Sequence, residues 1–148
     1  MKKLIQVLFA FSILIGVPAM ADSKSEALNV VQSWTNALNR NDVDGIVSTF
    51  ATNASFFGTS TKNLVTTPLG IRQYFEVVYA QFAPLSVELG QLVANDLSPD
   101  SAVVTGYDKW KVTIEGKTVE RVGRLSIAVA RKDGEWRIVS FHRSALPN

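Results

Sequence analysis

The sequence predicts an α+β domain, with helices packed on one face of a curved, mainly antiparallel sheet. Two observations carry this. Up to Pro84 the apolar residues recur at three- and four-residue spacing, and after it they alternate. Turn signals at Ser98-Pro99-Asp100, Glu115-Gly116 and Lys132-Asp133-Gly134 divide the alternating half into long strands.

The chain begins with a processing signal. Lys2 and Lys3 form a basic start, Leu4 to Val17 is an apolar run too short for an ordinary membrane span, and Pro18-Ala19-Met20-Ala21 offers small residues for cleavage before Asp22. Residues 1–21 therefore read as a signal peptide and residues 22–148 as one domain, periplasmic or secreted, with no membrane attachment after cleavage.

Ser23 and Glu26 have capping-box spacing at the start of a first helix. Ala27, Val30, Val31, Trp34 and Leu38 form its apolar face. Asn39 to Asp42 breaks this helix and caps a short second one with Val43, Ile46, Val47 and Phe50 as its stripe. Ala54 to Phe57 is a short strand candidate, followed by a polar loop at Gly58-Thr59-Ser60-Thr61. Thr67-Pro68 opens a third helix, with a hydroxyl cap and a proline where the missing N–H costs nothing. It carries Ile71, Tyr74, Phe75, Val78 and Phe82, and Pro84 ends it. The strands are then Val87 to Leu97, Ala102 to Ile114, Lys117 to Arg131 and Trp136 to Ser144.

Composition excludes several functions. Without Lys2 and Lys3 the formal charge falls from +2 to about zero, so the pI of about 9.0 does not signal a nucleic-acid partner. There is no cysteine, hence no disulfide or thiol chemistry, and one histidine without clustered carboxylates makes no metal set. No cofactor is indicated.

Asp133-Gly-Glu-Trp-Arg-Ile-Val-Ser-Phe-His-Arg-Ser-Ala-Leu-Pro147 closely resembles the end of the association (hub) domain of calcium/calmodulin-dependent protein kinase II, and of small exported bacterial proteins related to it. Tyr74-Phe75-Glu76, Trp34 and the Asn41-Asp42 break resemble the same family at matching places. The resemblance spans essentially residues 23 to 148. It implies the cone-shaped fold of the nuclear transport factor 2-like, or SnoaL-like, superfamily, which holds isomerases, dehydratases and hydrolases as well as proteins without known catalysis. The fold alone therefore leaves function open.

Hairpin geometry gives each strand an inner and an outer face. A three-residue Lys132-Asp133-Gly134 turn with a bulge pairs Arg131 with Glu135, and gathers Leu125, Ile127, Val129, Val139 and Phe141 on one apolar face. A two-residue Glu115-Gly116 turn adds Val104, Asp108, Trp110 and Val112 to it. Asp108 then lies opposite Gly123, and Gly123 opposite Arg143. The glycine leaves a hollow between them, and Arg121 approaches Asp108 diagonally.

These residues outline a candidate pocket. Arg143 and Arg121 would hold a carboxylate or other small anion, Asp108 would orient them or accept a ligand hydroxyl, and Trp110, Leu125 and Phe141 would form apolar wall. Tyr74 is placed at the cavity mouth. The resemblance implies a pocket role for Arg143, which matches the arginine of the hub's Phe-His-Arg-Ser motif. It departs elsewhere: the hub's helix histidine is absent beside Arg72, and two hub pocket arginines fall on Asp108 and Ile127. A self-satisfied Asp108–Arg143 ion pair is the structural alternative.

His142 falls on the outer face, together with Tyr107, Val122, Arg124, Ser126, Ala128 and Ile138. The resemblance implies self-association through this face, as a homodimer or larger ring. The leading reading is an exported, self-associating domain that binds a small anion without assigned catalysis. The rivals are an enzyme of the ketosteroid isomerase-like type with Asp108 as general base, and a pure assembly module.

Overall fold

The computed structural model describes residues 22–147. The signal peptide read in residues 1–21 lies outside the described residues. Helix α1 spans Ser23–Asn39 and buries Ala27, Val31, Trp34 and Leu38, the face expected from their spacing. Its cap differs from the expectation. Asp22, not Ser23, accepts the Ser25 N–H at 2.8 Å. The Ser23 hydroxyl instead donates to Asp96 Oδ1 at 2.7 Å, on a distant strand.

Asn41 has φ 55°, a left-handed residue that turns the chain out of α1. Asp42 then caps α2 (Val43–Ser48), accepting the Gly45 N–H at 2.7 Å. Phe50 was expected in this helix but opens strand β1 (Phe50–Phe57). Exposed Thr52 and Asn53 hide its alternation, and its register shifts between Phe50 and Ser55. Helix α3 spans Pro68–Phe82 and is capped by Thr67, as its sequence predicts.

Four long strands follow: β2 (Leu85–Ser98), β3 (Ser101–Ile114), β4 (Lys117–Lys132) and β5 (Glu135–Ala145). They form one sheet in the order β1-β5-β4-β3-β2. All neighbours are antiparallel except β1 with β5. The helices sit on one side of this sheet, as expected of the α+β arrangement.

The β3–β4 register is the one predicted, with Asp108 opposite Gly123 and Trp110 opposite Arg121. Glu115 and Gly116 form its turn with φ of 51° and 75°. The β4–β5 register differs. Asp133 and Gly134 have φ of 52° and 84°, a two-residue turn with Lys132 opposite Glu135.

That tighter turn alone would send Phe141 and Arg143 to the wrong face. A register shift between Val129 and Ala128 leaves Val139 unpaired as a bulge and restores the inward set beyond it. Ile138, expected outside, is therefore fully buried, and Val139, expected inside, is only partly buried. Gly123 lies opposite Ala145, and Arg143 lies opposite Leu125.

The core fills the space between helices and sheet. The Phe141 ring stacks on Phe56 at 5.0 Å and packs against Trp34 at 5.0 Å. This is why Phe141 is core rather than pocket wall. Leu125 and Ile127 complete the same layer.

Candidate functional site

The sheet's inner face turns polar at one end. There β3 presents Asp108 and Trp110 two residues apart, so both point inward. Arg143 comes from β5, and its guanidinium runs along the sheet to Gly123. A Cβ on Gly123 would meet Arg143 Cζ at 2.5 Å and Asp108 Oδ1 at 2.7 Å. The hollow expected at the glycine is thus filled by the ion pair itself.

The pair is closely satisfied. Arg143 Nε donates to Asp108 Oδ1 and Oδ2 at 3.0 and 2.8 Å, and Nη2 donates to Oδ1 at 2.7 Å. The Trp110 indole N–H donates to Asp108 Oδ2 at 2.7 Å. Arg143 Nη1 donates to Thr59 Oγ1 at 2.7 Å, and Arg143 Cζ lies 5.1 Å from the Trp110 ring centroid. Asp108 is 1% exposed and Arg143 9%. Such a pair is held by geometry, because its mutual attraction must offset the loss of water around both charges.

Above the pair opens a cavity of about 450 Å³, in the usual range for small-molecule sites. Trp110, Val78, Phe82 and Val112 form its apolar side. Thr59, Ser60, Arg121 and Arg143 supply polar groups, and Leu146 and Pro147 close one edge. Tyr74 lines it, as expected. Gly58 makes this possible, since a Cβ there would overlap the Tyr74 ring. Asp108 lies beneath the cavity rather than on its wall.

Arg121 does not approach Asp108 as the strand geometry suggested. It is exposed, its Cζ lies 5.6 Å from the Phe82 ring centroid, and it has no ion-pair partner among the described residues. The reason is local: Arg143 occupies the Asp108 carboxylate, and Phe82 offers the Arg121 guanidinium an aromatic face instead.

A model of SnoaL-like domains matches residues 27–148. The chain belongs to the SnoaL-like domain family. Comparison with curated proteins finds no match. Similar solved structures include a Xanthomonas campestris protein provisionally described as a calcium/calmodulin-dependent protein kinase II association domain. It has TM-score 0.77 and 20% identity, over 95% of this chain and 99% of that one. A Pseudomonas putida nuclear transport factor 2-like protein of unknown function has TM-score 0.74 and 19% identity, over 84% and 87% of the two chains. A Streptomyces avermitilis protein of the same fold family, provisionally described as a dehydratase, has TM-score 0.75 and 14% identity, over 85% and 98%. At such identities the likeness establishes the fold.

In this SnoaL-like domain the structure brings Trp110, Arg143, Arg121 and Tyr74 to one cavity. It leaves Leu125 and Phe141 in the core and His142 exposed on the outer face. Thr59 and Ser60 were legible only as a polar loop. Their place on the cavity wall follows from the parallel pairing of β1 with β5, which sets Phe57 beside His142 and carries the loop over Arg143.

The remaining phenol at a helix contact has a structural task. Tyr79 donates its hydroxyl to Leu38 O at 2.7 Å, tying α3 to α1. Burial, with a smaller push from the Asp42 carboxylate, raises its pKa to about 12. Among the described residues no cluster of metal-binding side chains is found, and no helix is long and apolar enough to cross a membrane.

Proposed function

We propose that this SnoaL-like domain binds a small, largely apolar anion in its cavity. The observation that carries the reading is Arg121, a cation at the rim without a carboxylate partner among the described residues, beside an apolar wall of Trp110, Phe82 and Val78. An anion would sit at Arg121 with its apolar body against that wall. Arg143 contributes hydrogen-bond donors, its charge being balanced by Asp108. Tyr74, Trp110 and Asp108 would act as shape, wall and support.

The general-base reading of Asp108 is weaker. A base must come within hydrogen-bond reach of the proton it takes. Here both carboxylate oxygens already accept hydrogen bonds, and the residue lies under Trp110 and Arg143. Isothermal titration with benzoate tests the binding reading. Saturable binding that weakens severalfold in Arg121→Gln supports it, and binding of equal strength in the variant counts against it.

We also propose that the domain self-associates through its outer sheet face. Phe57, Val93, Tyr107 and Val122 stand exposed on that face, among exposed Arg124, Ser126 and His142. The association-domain description of the Xanthomonas relative points the same way. Light scattering should give a mass above one chain, reduced by Tyr107→Glu. A monomer at high concentration would refute it. Export to the periplasm or medium remains part of the proposal, tested by sequencing the amino terminus of the mature protein.

A further inference from the structure

We infer that the cavity's two arginines read different groups, so that the ligand is a monocarboxylate carrying a neutral carbonyl at its other end. This rests on the anion-binding reading above and specifies the ligand class.

The two guanidiniums differ in charge balance. Arg143 is 9% exposed and bonded to Asp108 through Nε and Nη2, so the pair is neutral as a unit. Yet Arg143 lines the cavity. One N–H on Nη1 and one on Nη2 remain uncommitted after the bonds to Thr59 and Asp108. Guanidinium has no acceptor, so these donors call for an acceptor oxygen. A second carboxylate placed there would approach Asp108 Oδ1, a like charge that the single guanidinium already balances. A carbonyl oxygen accepts from the same donors without that repulsion.

Arg121 is the converse. It is exposed at the rim over Phe82 and makes no ion pair among the described residues, so no carboxylate balances its charge there. A ligand carboxylate is the group it suits.

Both arginines border one cavity. The Arg143 head lies against Gly123, two residues along β4 from Arg121, so the two backbone positions are about 7 Å apart. A benzene ring carrying a carboxylate and a para carbonyl presents acceptors at opposite ends, and its faces suit the wall formed by Trp110 and Phe82.

The test avoids Arg143 variants, which disturb a buried pair. Calorimetric titration of the wild type compares 4-acetylbenzoate, 4-isopropylbenzoate and benzene-1,4-dicarboxylate. The acetyl compound should bind roughly fivefold tighter than the isopropyl one, the worth of one net hydrogen bond. The dicarboxylate should bind no tighter than the isopropyl compound. In Arg121→Gln all three should weaken while the acetyl preference persists. Equal affinity for the acetyl and isopropyl compounds, or tightest binding of the dicarboxylate, would overturn the carbonyl assignment and leave the anion site standing. No binding of any of the three would overturn both.

Discussion

Arg143 grips Asp108 from a position that is not across from it. Asp108 faces Gly123 on the neighbouring strand, while Arg143 faces Leu125, two residues further along. The long arginine side chain reaches back over the glycine to close the pair. One missing side chain on β4 therefore lets groups from β3 and β5 meet on the inner face.

Removing either partner should destabilise the domain, but unequally. Arg143→Met leaves a carboxylate that is 1% exposed without its cation, and should cost about 3–5 kcal/mol. Asp108→Asn should cost less, because Arg143 borders the cavity and can regain water. The double variant Asp108→Leu with Arg143→Met should lie nearer the wild type than Arg143→Met alone. Urea unfolding of the four proteins checks the order.

Gly123→Ala should be destabilising by about 1–3 kcal/mol, although alanine suits a strand better than glycine. The added methyl would enter the space of the Arg143 guanidinium and the Asp108 carboxylate. Thermal unfolding reads the loss. An unchanged or raised Tm would mean that the pair can move aside freely.

Much of this arrangement was legible in the sequence. Periodicity gave the three helices, and the Glu115-Gly116 turn gave the β3–β4 register that sets Asp108 beside Gly123. The β4–β5 hairpin was harder. The tight turn and the Val139 bulge each shift the register by one residue and together restore the inward face from Phe141 on, the face that a three-residue turn also predicts. The bulge left no local signal, since Ile138 and Val139 are equally apolar. The contact of Arg121 with Phe82 is hidden for a different reason: strand geometry places a Cβ but does not decide which partner a long side chain chooses. The Thr59 contact depends on β1 pairing in parallel with β5, a nonlocal fact absent from any short window.

The Ser23–Asp96 contact should appear in a titration. The hydroxyl of Ser23, followed by Lys24, holds the Asp96 carboxyl below its ordinary pKa. A depressed folded-state pKa contributes stability that is present above the unfolded value and is lost as pH falls through the folded one. Ser23→Ala should raise the Asp96 pKa towards 3.8, as followed by carboxyl NMR. No change would mean that the bond to Ser23 does not form in solution.

Tyr79 gives the alkaline counterpart. Its pKa is raised from 10.0 to about 12 by burial first and Asp42 second. A raised folded-state pKa contributes stability that is complete below the unfolded value and lost as pH rises through the folded one. The wild type should therefore lose stability between about pH 10 and 12 more steeply than Tyr79→Phe. Denaturant midpoints measured across that window decide it, and parallel curves would contradict the burial of the phenol.

The most direct measurement is a crystal structure of the domain with benzoate. The ring should lie against Trp110 and Phe82 with its carboxylate at Arg121, and the Asp108–Arg143 pair should remain closed. Benzoate bound only elsewhere, or seated by opening that pair and contacting Asp108 directly, would contradict an anion site built on Arg121 above a neutral ion pair.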